Sequence, residues 1–234
     1  MFLDLPVLAI DTHCHLIPGV DDGSRTRAET LLMAEGLVRV GVERVHVTPH
    51  QFRFGNDLDP EEVRRWTREL AGWFAQAGLP LEALPGAEYL YGERLWDAIE
   101  NREELLTWEP EGGTHPRRRM LVELPLREPV VGVTRLAERL LPLGIRPVMA
   151  HPERVAAVQQ QPSRLDAWVE AGWEFQLDLL SLVTSYGRSA KRLARALLAE
   201  DRYRFTGSDL HRPVQLRDLE AARSTFLRIR SDEK

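Results

Sequence analysis

Cysteine is almost absent from the sequence, with Cys14 the single thiol among 234 residues. One cysteine cannot form an internal disulfide framework or a zinc site built from several thiolates. Free cysteines are among the most frequently buried residues, so we interpret Cys14 as a packing residue.

Long hydrophobic runs are missing as well. The longest uncharged apolar runs are far shorter than the roughly 20 residues that a membrane-spanning helix needs. The N-terminal stretch M-F-L-D-L-P-V-L-A-I-D has no basic region and carries Asp4, so it does not resemble a secretory signal. We therefore expect a cytoplasmic protein with no stable membrane insertion.

Lysine is scarce too, because only Lys191 and Lys234 occur among the 31 basic residues and all the others are arginine. Arginine suits the recognition of carboxylates and phosphates, but genomic base composition explains the same bias, so both explanations stay open. The net charge is −5, and the sequence has no basic stripe and no aromatic stacking platform. We therefore expect no nucleic-acid partner.

What the sequence does contain is an alternation of strand-like and helix-like segments. Seven apolar runs of strand length are each followed by a longer segment of helical period. The predicted strands are residues 7–10, 42–48, 81–88, 120–125, 146–151, 173–179 and 203–209. The predicted helices are residues 25–40, 60–77, 92–101, 130–143, 162–171, 188–200 and 214–230.

This alternation predicts a parallel α/β architecture close to a closed (β/α) barrel. No linker rich in proline or serine divides the chain, so we predict one domain over residues 1–234. The segment 109–119, E-P-E-G-G-T-H-P-R-R-R, is the best candidate for an exposed loop.

Histidines mark the end of the first predicted strand, in the stretch D-T-H-C-H from Asp11 to His15. Side chains alternate along a strand, so Asp11, His13 and His15 share one face while Thr12 and Cys14 point the other way. Two imidazoles on one face at the C-terminal end of a strand can bind the same metal ion.

The other predicted strands end in the same kinds of residue. In a parallel barrel, the C-terminal ends of the strands share the rim where catalytic groups gather. Each histidine alone would be explained as an ordinary core or surface residue, but five of the seven histidines at strand ends have no joint packing explanation. The candidate metal ligands are His13, His15, Asp22, His50, Glu88, Glu123, His151, Asp209 and His211.

Imidazoles and carboxylates without a thiolate cluster suit manganese, iron, zinc or cobalt in mixed nitrogen and oxygen coordination. Nine ligands are too many for one ion and enough for two or three. Multinuclear sites of this kind bind a phosphoryl group and generate a metal-bound hydroxide at neutral pH.

Together these motifs resemble the polymerase and histidinol phosphatase (PHP) superfamily. The matching pieces in chain order are D-T-H-C-H, V-D-D-G, T-P-H, G-A-E, H-P-E-R and S-D-L-H. More narrowly, they resemble the CpsB/YwqE branch, the bacterial manganese-dependent protein-tyrosine phosphatases of capsule and exopolysaccharide operons. The resemblance covers the chain from about Leu8 to Pro213, and it implies a distorted (β/α)7 barrel with a trinuclear metal site.

The resemblance also implies a ligand set for each ion. One ion would bind His13, His15, Glu88 and Asp209, a second would share Glu88 and bind Glu123 and His151, and a third would bind Asp22, His50 and His211. Manganese is the expected metal, with iron, zinc, cobalt and magnesium as alternatives. Asp11 is either a hydrogen-bond acceptor that supports His13 or a turn residue at the strand end.

The catalytic residues that we predict from this resemblance are Arg154, His50 and Asp209. Arg154, in H-P-E-R, matches the family arginine that binds the substrate phosphate, and we interpret Glu153 as a bystander that points outward. Relatives have a longer loop before a second phosphate-binding arginine. Here Arg212 follows His211 at once, so its substrate-binding role is an open prediction.

The implied function is hydrolysis of protein phosphotyrosine by in-line attack of a metal-bound hydroxide. No cysteine nucleophile is involved, because Cys14 does not lie in a phosphate-binding loop followed by arginine. The implied substrate is a bacterial tyrosine autokinase of exopolysaccharide or capsule synthesis, and relatives often form homo-oligomers. Two alternatives stay open: a small-molecule phosphatase of the histidinol-phosphatase type, and a metal-holding interaction module without turnover.

Overall fold

A computed structural model of the chain describes residues 8–53, 55, 57–110 and 118–231. In this part of the chain, short strands alternate with helices. The strands are β1 (Ile10–Cys14), β2 (Arg44–Val47), β3 (His50–Gln51), β4 (Glu82–Pro85), β5 (Glu88–Leu90), β6 (Arg118–Glu123), β7 (Ile145–Ala150), β8 (Glu174–Asp178) and β9 (Phe205–Gly207). The α-helices are α1 (Arg27–Arg39), α2 (Pro60–Gln76), α3 (Glu93–Glu100), α4 (Val133–Leu140), α5 (Ala156–Gln160), α6 (Arg164–Glu170), α7 (Gly187–Ala199) and α8 (Leu216–Ser231).

All the strand pairings are parallel, and they form a curled sheet in two parts. One part has the order β1-β2-β4, and the other has the order β3-β5-β6-β7-β8-β9. Only two residues separate β2 from β3, and only two separate β4 from β5. The two parts are therefore joined through two kinked segments of chain. The fold is α/β, with the C-terminal ends of the strands brought towards one edge.

The helix ends follow the sequence signals. The side chain of Asp59 caps α2 by accepting a hydrogen bond from the backbone N–H of Glu62, and Pro60 occupies the first turn, where its missing N–H costs nothing. Gly78 ends the same helix with a φ of 69°, a left-handed conformation that suits glycine.

The core is apolar and dense. The buried side chains of the strands pack against the buried faces of the helices, and the largest fully buried groups include Trp173, Phe74 and Phe175. Cys14 is completely buried, as predicted for a packing residue. A smaller cluster of Trp108, Leu121, Val148 and Ala150 lies apart from the main core.

The predicted elements differ from the observed ones mainly at their ends. The first strand begins at Ile10 and continues through Cys14, beyond the apolar run at 7–10, because its polar residues find partners inside the protein. β6 begins at Arg118, so the predicted loop at 109–119 extends too far. Helix α5 was not predicted. Residues 111–117 of that loop, with His115, lie outside the described residues.

No helix in the described ranges combines the length and the apolar character that crossing a lipid bilayer requires.

Gly207 at the end of β9 shows how closely the strands approach beneath the site. A Cβ atom on Gly207 would lie 2.5 Å from the Cβ of His13 and 2.3 Å from Nε2 of Gln176. Both separations are well below a van der Waals contact, so only glycine fits between these two side chains.

Replacing Gly207 with alanine should therefore push His13 and Gln176 aside. We expect Gly207→Ala to lower the free energy of unfolding by about 1–3 kcal/mol, the usual cost of overpacking. The measurement is urea denaturation followed by circular dichroism. Gly72 in α2 is the matched control, because a Cβ there meets nothing within 4 Å, and Gly72→Ala should stabilise the protein by about 0.5–1 kcal/mol. Equal stability of Gly207→Ala and the wild type would contradict this account of the packing.

Candidate metal centre

The nine predicted ligands come together at the C-terminal edge of the curled sheet. Seven of them are buried, His211 is partly buried and Asp22 is exposed. They form three overlapping groups, which are His13, His15, Glu88 and Asp209; His15, Asp22, His50 and His211; and His50, Glu88 and Glu123. His151 lies against the last group, with its Nε2 3.2 Å from Oε1 of Glu88.

Strands place most of the predicted ligands. His13 lies in β1, Glu88 begins β5, Glu123 ends β6, and His151 follows β7 directly. Asp209 follows β9, where its backbone N–H donates to the carbonyl of His13 over 2.8 Å. Because all the strands are parallel, their ends deliver these side chains to the same place.

The first group is the most compact. His13 Nε2 lies 3.1 Å from His15 Nε2, from Glu88 Oε2 and from Asp209 Oδ1. His15 Nε2 lies 3.4 Å from Glu88 Oε2 and 3.2 Å from Asp209 Oδ1. Four potential ligand atoms thus surround one point in the buried interior of the protein.

Hydrogen bonds on the far side of each ring decide which nitrogen of these histidines carries a proton. His15 Nδ1 lies 2.9 Å from a carboxylate oxygen of Asp21, so it donates there. The amide nitrogen of Gln176 donates to the carbonyl of Leu177, so its oxygen, 3.3 Å from His13 Nδ1, accepts from that ring. Neutral rings protonated on Nδ1 present Nε2 as a lone pair.

Four lone pairs therefore converge, two from imidazoles and two from carboxylates. Oε2 of Glu88 and Oδ1 of Asp209 are buried and have no hydrogen-bond donor within the described residues. Such an arrangement is repulsive unless a positive charge lies between the atoms. A cation about 2.0–2.1 Å from each of four tetrahedral ligands separates them by roughly 3.3 Å, which fits the observed spacings, so the residues present fit a divalent metal ion.

The second predicted set surrounds the other oxygen of Glu88. Glu123 Oε1 lies 3.9 Å from His151 Nε2, close enough for both to share a cation with Glu88. Burial, reinforced by the charge of Glu88, raises the pKa of Glu123 to about 7. Burial, helped by the charge of Arg154, lowers the pKa of His151 to about 4, so this imidazole stays neutral and its lone pair is available to a metal.

The third predicted set lies nearer to solvent. Oδ1 of Asp22 lies 3.2 Å from Nε2 of His50 and 3.2 Å from Nε2 of His211. Nδ1 of His211 is 2.9 Å from the backbone carbonyl of Asp209 and donates to it, so Nε2 again presents a lone pair. The ring of His15 stacks on that of His211 at 3.9 Å and connects this set to the first.

Charge within the cluster is dominated by two ionised carboxylates. Burial alone would raise the pKa of Glu88, but attraction to the positive charge that His13 and His50 carry when they are protonated outweighs burial and holds the pKa well below its usual range. The pKa of Asp209 is lowered in the same way, because attraction to protonated His13 and His211 outweighs its burial. The centre is therefore strongly attractive to cations.

Two of the ligand positions carry backbone strain. His151 has a φ of 34° and Asp209 a φ of 48°, both in the left-handed region that residues with a side chain rarely adopt. Strain of this kind costs of order 1–3 kcal/mol per residue and clusters at functional sites. The turns after β7 and β9 thus aim the two side chains at the cluster at some cost to stability.

Asp21 is a residue of the site that the sequence analysis missed. Its carboxylate accepts from Nδ1 of His15, from the backbone N–H of Gly23 and, over 3.0 Å, from the backbone N–H of His50. Burial would raise its pKa, but the interactions with His15 prevail and lower it to about 2. The only signal was the pair of adjacent aspartates in V-D-D-G, and alternation of side chains does not tell which of two neighbours orients a ligand.

Asp11 accepts a hydrogen bond from His13, but from the backbone N–H of that residue and not from its ring. Its Oδ1 accepts from the backbone N–H groups of His13 and Ser208, at 3.0 and 2.9 Å, and so ties β1 to the end of β9. The imidazole of His13 is supported by Gln176 instead. Burial raises the pKa of Asp11 to about 6.

Glu153 is not the outward-pointing bystander that we predicted. It is completely buried and accepts from the hydroxyl of Tyr203 over 2.9 Å and from the backbone N–H of Asp178 over 3.2 Å. The prediction was wrong because residues 152–154 form a single 3-10 turn, which directs Glu153 inward.

Two arginines border the cluster on different sides. Nη1 of Arg154 contacts Oδ2 of Asp209, and the Arg154 side chain is 15% exposed. Arg53, which the sequence analysis did not single out, donates to Oε2 of Glu123 over 3.0 Å and lies 3.0 Å from Nε2 of His50. Arg212 contacts Glu29 at 3.3 Å, at the start of α1.

Comparison with known proteins gives a consistent set of relatives. Residues 9–224 match the family model described as capsular polysaccharide synthesis, CpsB/CapC. The chain is 33% identical over 207 residues to the tyrosine-protein phosphatase YwqE of Bacillus subtilis (strain 168), covering 86% of this chain and 77% of that protein. It is 27% identical over 208 residues to the tyrosine-protein phosphatase CpsB of Streptococcus agalactiae serotype V, covering 86% and 82%.

A solved structure resembles the chain along nearly its whole length. It comes from the crystal structures of YwqE from Bacillus subtilis and CpsB from Streptococcus pneumoniae, described as unique metal-dependent tyrosine phosphatases. The TM-score is 0.83 at 28% sequence identity, with 96% of this chain and 87% of that chain covered.

Removing a central carboxylate should empty the centre. Oε2 of Glu88 lies within 3.4 Å of three imidazoles, so we expect Glu88→Ala to lose most of the manganese that the wild type binds. Inductively coupled plasma mass spectrometry after manganese loading and gel filtration measures the content. His46→Gln is the control, because His46 is also buried but lies outside the cluster, against Trp108. Full metal content in Glu88→Ala would contradict the assignment.

Proposed function

Because the chain belongs to the CpsB/CapC family of capsular polysaccharide synthesis, we propose that it is a metal-dependent phosphatase that hydrolyses phosphotyrosine in proteins. The observation that carries the proposal is the convergence of four lone pairs from His13, His15, Glu88 and Asp209 within 3.1–3.4 Å. Its relatives YwqE and CpsB are named tyrosine phosphatases, and the similar solved structure is described as metal-dependent.

The proposed cofactor is manganese, bound as two or three ions by the nine ligands. Mixed nitrogen and oxygen ligands suit manganese and also admit iron, zinc, cobalt and magnesium. Divalent cations in such a site polarise the phosphoryl group and activate water at neutral pH. Oriented by Asp21 and Gln176, His15 and His13 keep their lone pairs directed at the centre.

Arg154 is the proposed phosphate-binding residue. Its guanidinium borders the cluster beside Asp209 and stays charged at any relevant pH, so it can stabilise charge on the transferring phosphoryl group. His50 and Asp209 complete the proposed catalytic set by holding cations close to that group. Arg212 stays a prediction, because its contact with Glu29 leaves its role in substrate binding to be tested.

We also propose that the curled sheet closes into a distorted (β/α)7 barrel and that residues 1–234 form one domain. Counting β2 with β3 and β4 with β5 as two kinked strands gives seven strands in sequence order. Hydrogen bonds between Asp209 and His13, and between His15 and Leu210, join the chain after β9 to β1. Both observations support closure.

The proposed substrate is a bacterial tyrosine autokinase of capsule or exopolysaccharide synthesis, and the proposed assembly is a homo-oligomer. The family description supports a link to capsular polysaccharide synthesis. The cluster supports the reaction class, which is hydrolysis of a phosphoester. It does not identify the leaving group, because metal ions in such a site act on the phosphoryl group alone.

Activity should depend on metal and not on the thiol. We expect chelation to abolish hydrolysis of a phosphotyrosyl peptide, manganese to restore it, and Cys14→Ser to keep activity within about twofold, because Cys14 is completely buried. Phosphate release measures all three. Histidinol phosphate is the competing substrate, and faster hydrolysis of that compound would favour the small-molecule phosphatase. Turnover of neither substrate would favour an interaction module.

The two candidate phosphate-binding arginines should behave differently. We expect Arg154→Ala to lower kcat/KM by about 100-fold, the scale seen when one preorganised donor is removed, while manganese content stays unchanged. Arg212→Ala serves as the comparison, and its contact with Glu29 predicts a change below about threefold. Steady-state kinetics and metal analysis measure kcat/KM and manganese content for both variants. A larger loss in Arg212→Ala than in Arg154→Ala would reverse the assignment.

A further inference from the structure

Arg154 is held on several sides by three residues, two of which lie outside every motif found in the sequence. Its Nη1 lies 3.5 Å from Oδ2 of Asp178 at the end of β8, and it also contacts Asp209. Its Cζ lies 4.1 Å from the centre of the Tyr186 ring, in the geometry of a cation–π contact. These three residues, Asp178, Tyr186 and Asp209, are called the Arg154 cradle below.

Buried polar groups hold the Arg154 cradle in place through hydrogen bonds. Asp178 is completely buried, and its Oδ1 accepts from the backbone N–H of Leu180 over 2.8 Å. Glu153, on the same 3-10 turn as Arg154, accepts from the backbone N–H of Asp178. The turn that carries the arginine and the strand end that carries Asp178 are therefore tied together, and Tyr186 also interacts with the side chain of Asp178.

A phosphate-binding arginine needs such support, because its long side chain loses much rotamer freedom when it binds an anion. A ring stacked on one face of the guanidinium restricts that motion and leaves the N–H groups in the plane, directed past the edge of the ring. The carboxylates fix the same group through charge. Asp209 is also a predicted metal ligand, so its carboxylate is attracted to the cations as well as to Arg154. The ring of Tyr186 carries no charge that would attract the cations.

We propose that Tyr186 is a positioning residue for phosphate binding, which acts through Arg154 by holding its guanidinium at the border of the metal centre. This inference rests on the proposed function for the identity of the ligand, a phosphoryl group. The role belongs to the aromatic ring. It does not require the hydroxyl.

The test is a double-mutant cycle in the full-length, manganese-loaded protein, with inorganic phosphate as the probe. Isothermal titration calorimetry measures phosphate affinity without turnover, and metal analysis and thermal unfolding accompany each variant. We expect Tyr186→Leu to weaken phosphate binding about tenfold with manganese content unchanged, and Tyr186→Phe to stay within about threefold. In the Arg154→Ala background, Tyr186→Leu should cause no further loss, because a residue that acts through Arg154 has nothing left to position.

Trp73→Leu is the matched control, because Trp73 also lies beside an arginine, with Cζ of Arg27 4.9 Å from its ring, but on α2. It should leave phosphate affinity unchanged. If Tyr186→Leu does not fold, Tyr186→Met removes the ring but keeps a long, flexible side chain that can fill the space, and it takes the place of Tyr186→Leu in the cycle.

The outcomes separate this inference from the proposed function. Wild-type phosphate affinity in Tyr186→Leu, or an equal loss with and without Arg154, would overturn the positioning role. If the double-mutant cycle gives the expected affinities but the protein hydrolyses no phosphotyrosyl peptide, the result would support the positioning role and count against the proposed function. A wild type that binds no phosphate would overturn both.

Discussion

The mutual repulsion of four lone pairs is the constraint on which the rest of this structure depends. Nε2 of His13 and Nε2 of His15 lie 3.1 Å apart in the protein interior, and each lies 3.1–3.4 Å from one oxygen of Glu88 and one oxygen of Asp209. Buried acceptors without donors are costly. The arrangement is therefore explained as a site for positive charge. The parallel strands hold the four groups in place despite their mutual repulsion.

The sequence was sufficient to predict which side chains converge at this edge, because the placement of most of them follows from two simple rules. Parallel strands bring their C-terminal ends to one edge, and alternation along β1 puts His13 and His15 on one face. The helices were also predictable, since Asp59, Pro60 and Gly78 mark the ends of α2. The kinks that divide β2 from β3 and β4 from β5 could not be predicted, because a break of two residues leaves the apolar pattern of the sequence almost unchanged.

The residues that orient the ligands could not be predicted in the same way. Gln176 supports His13 from a strand 163 residues away, and Tyr186 stacks on Arg154 from the turn before α7. Their residue types are ordinary in any fold, and only the three-dimensional arrangement distinguishes them. Glu153 illustrates the point, since a charged residue beside a predicted catalytic arginine is buried against Tyr203, although its residue type favours the surface.

The joining of β9 to β1 has a consequence for how the centre arises during biosynthesis. His13 precedes Asp209 and His211 along the chain, so it emerges from the ribosome before them, and the two later residues emerge only after β9 has been synthesised. A nascent chain thus carries the first imidazoles of the cluster before Asp209 and His211 are present. The complete cluster can therefore form only after the segment that follows β9 has been synthesised, so a divalent ion that needs ligands from both ends of the fold is selected only after that point.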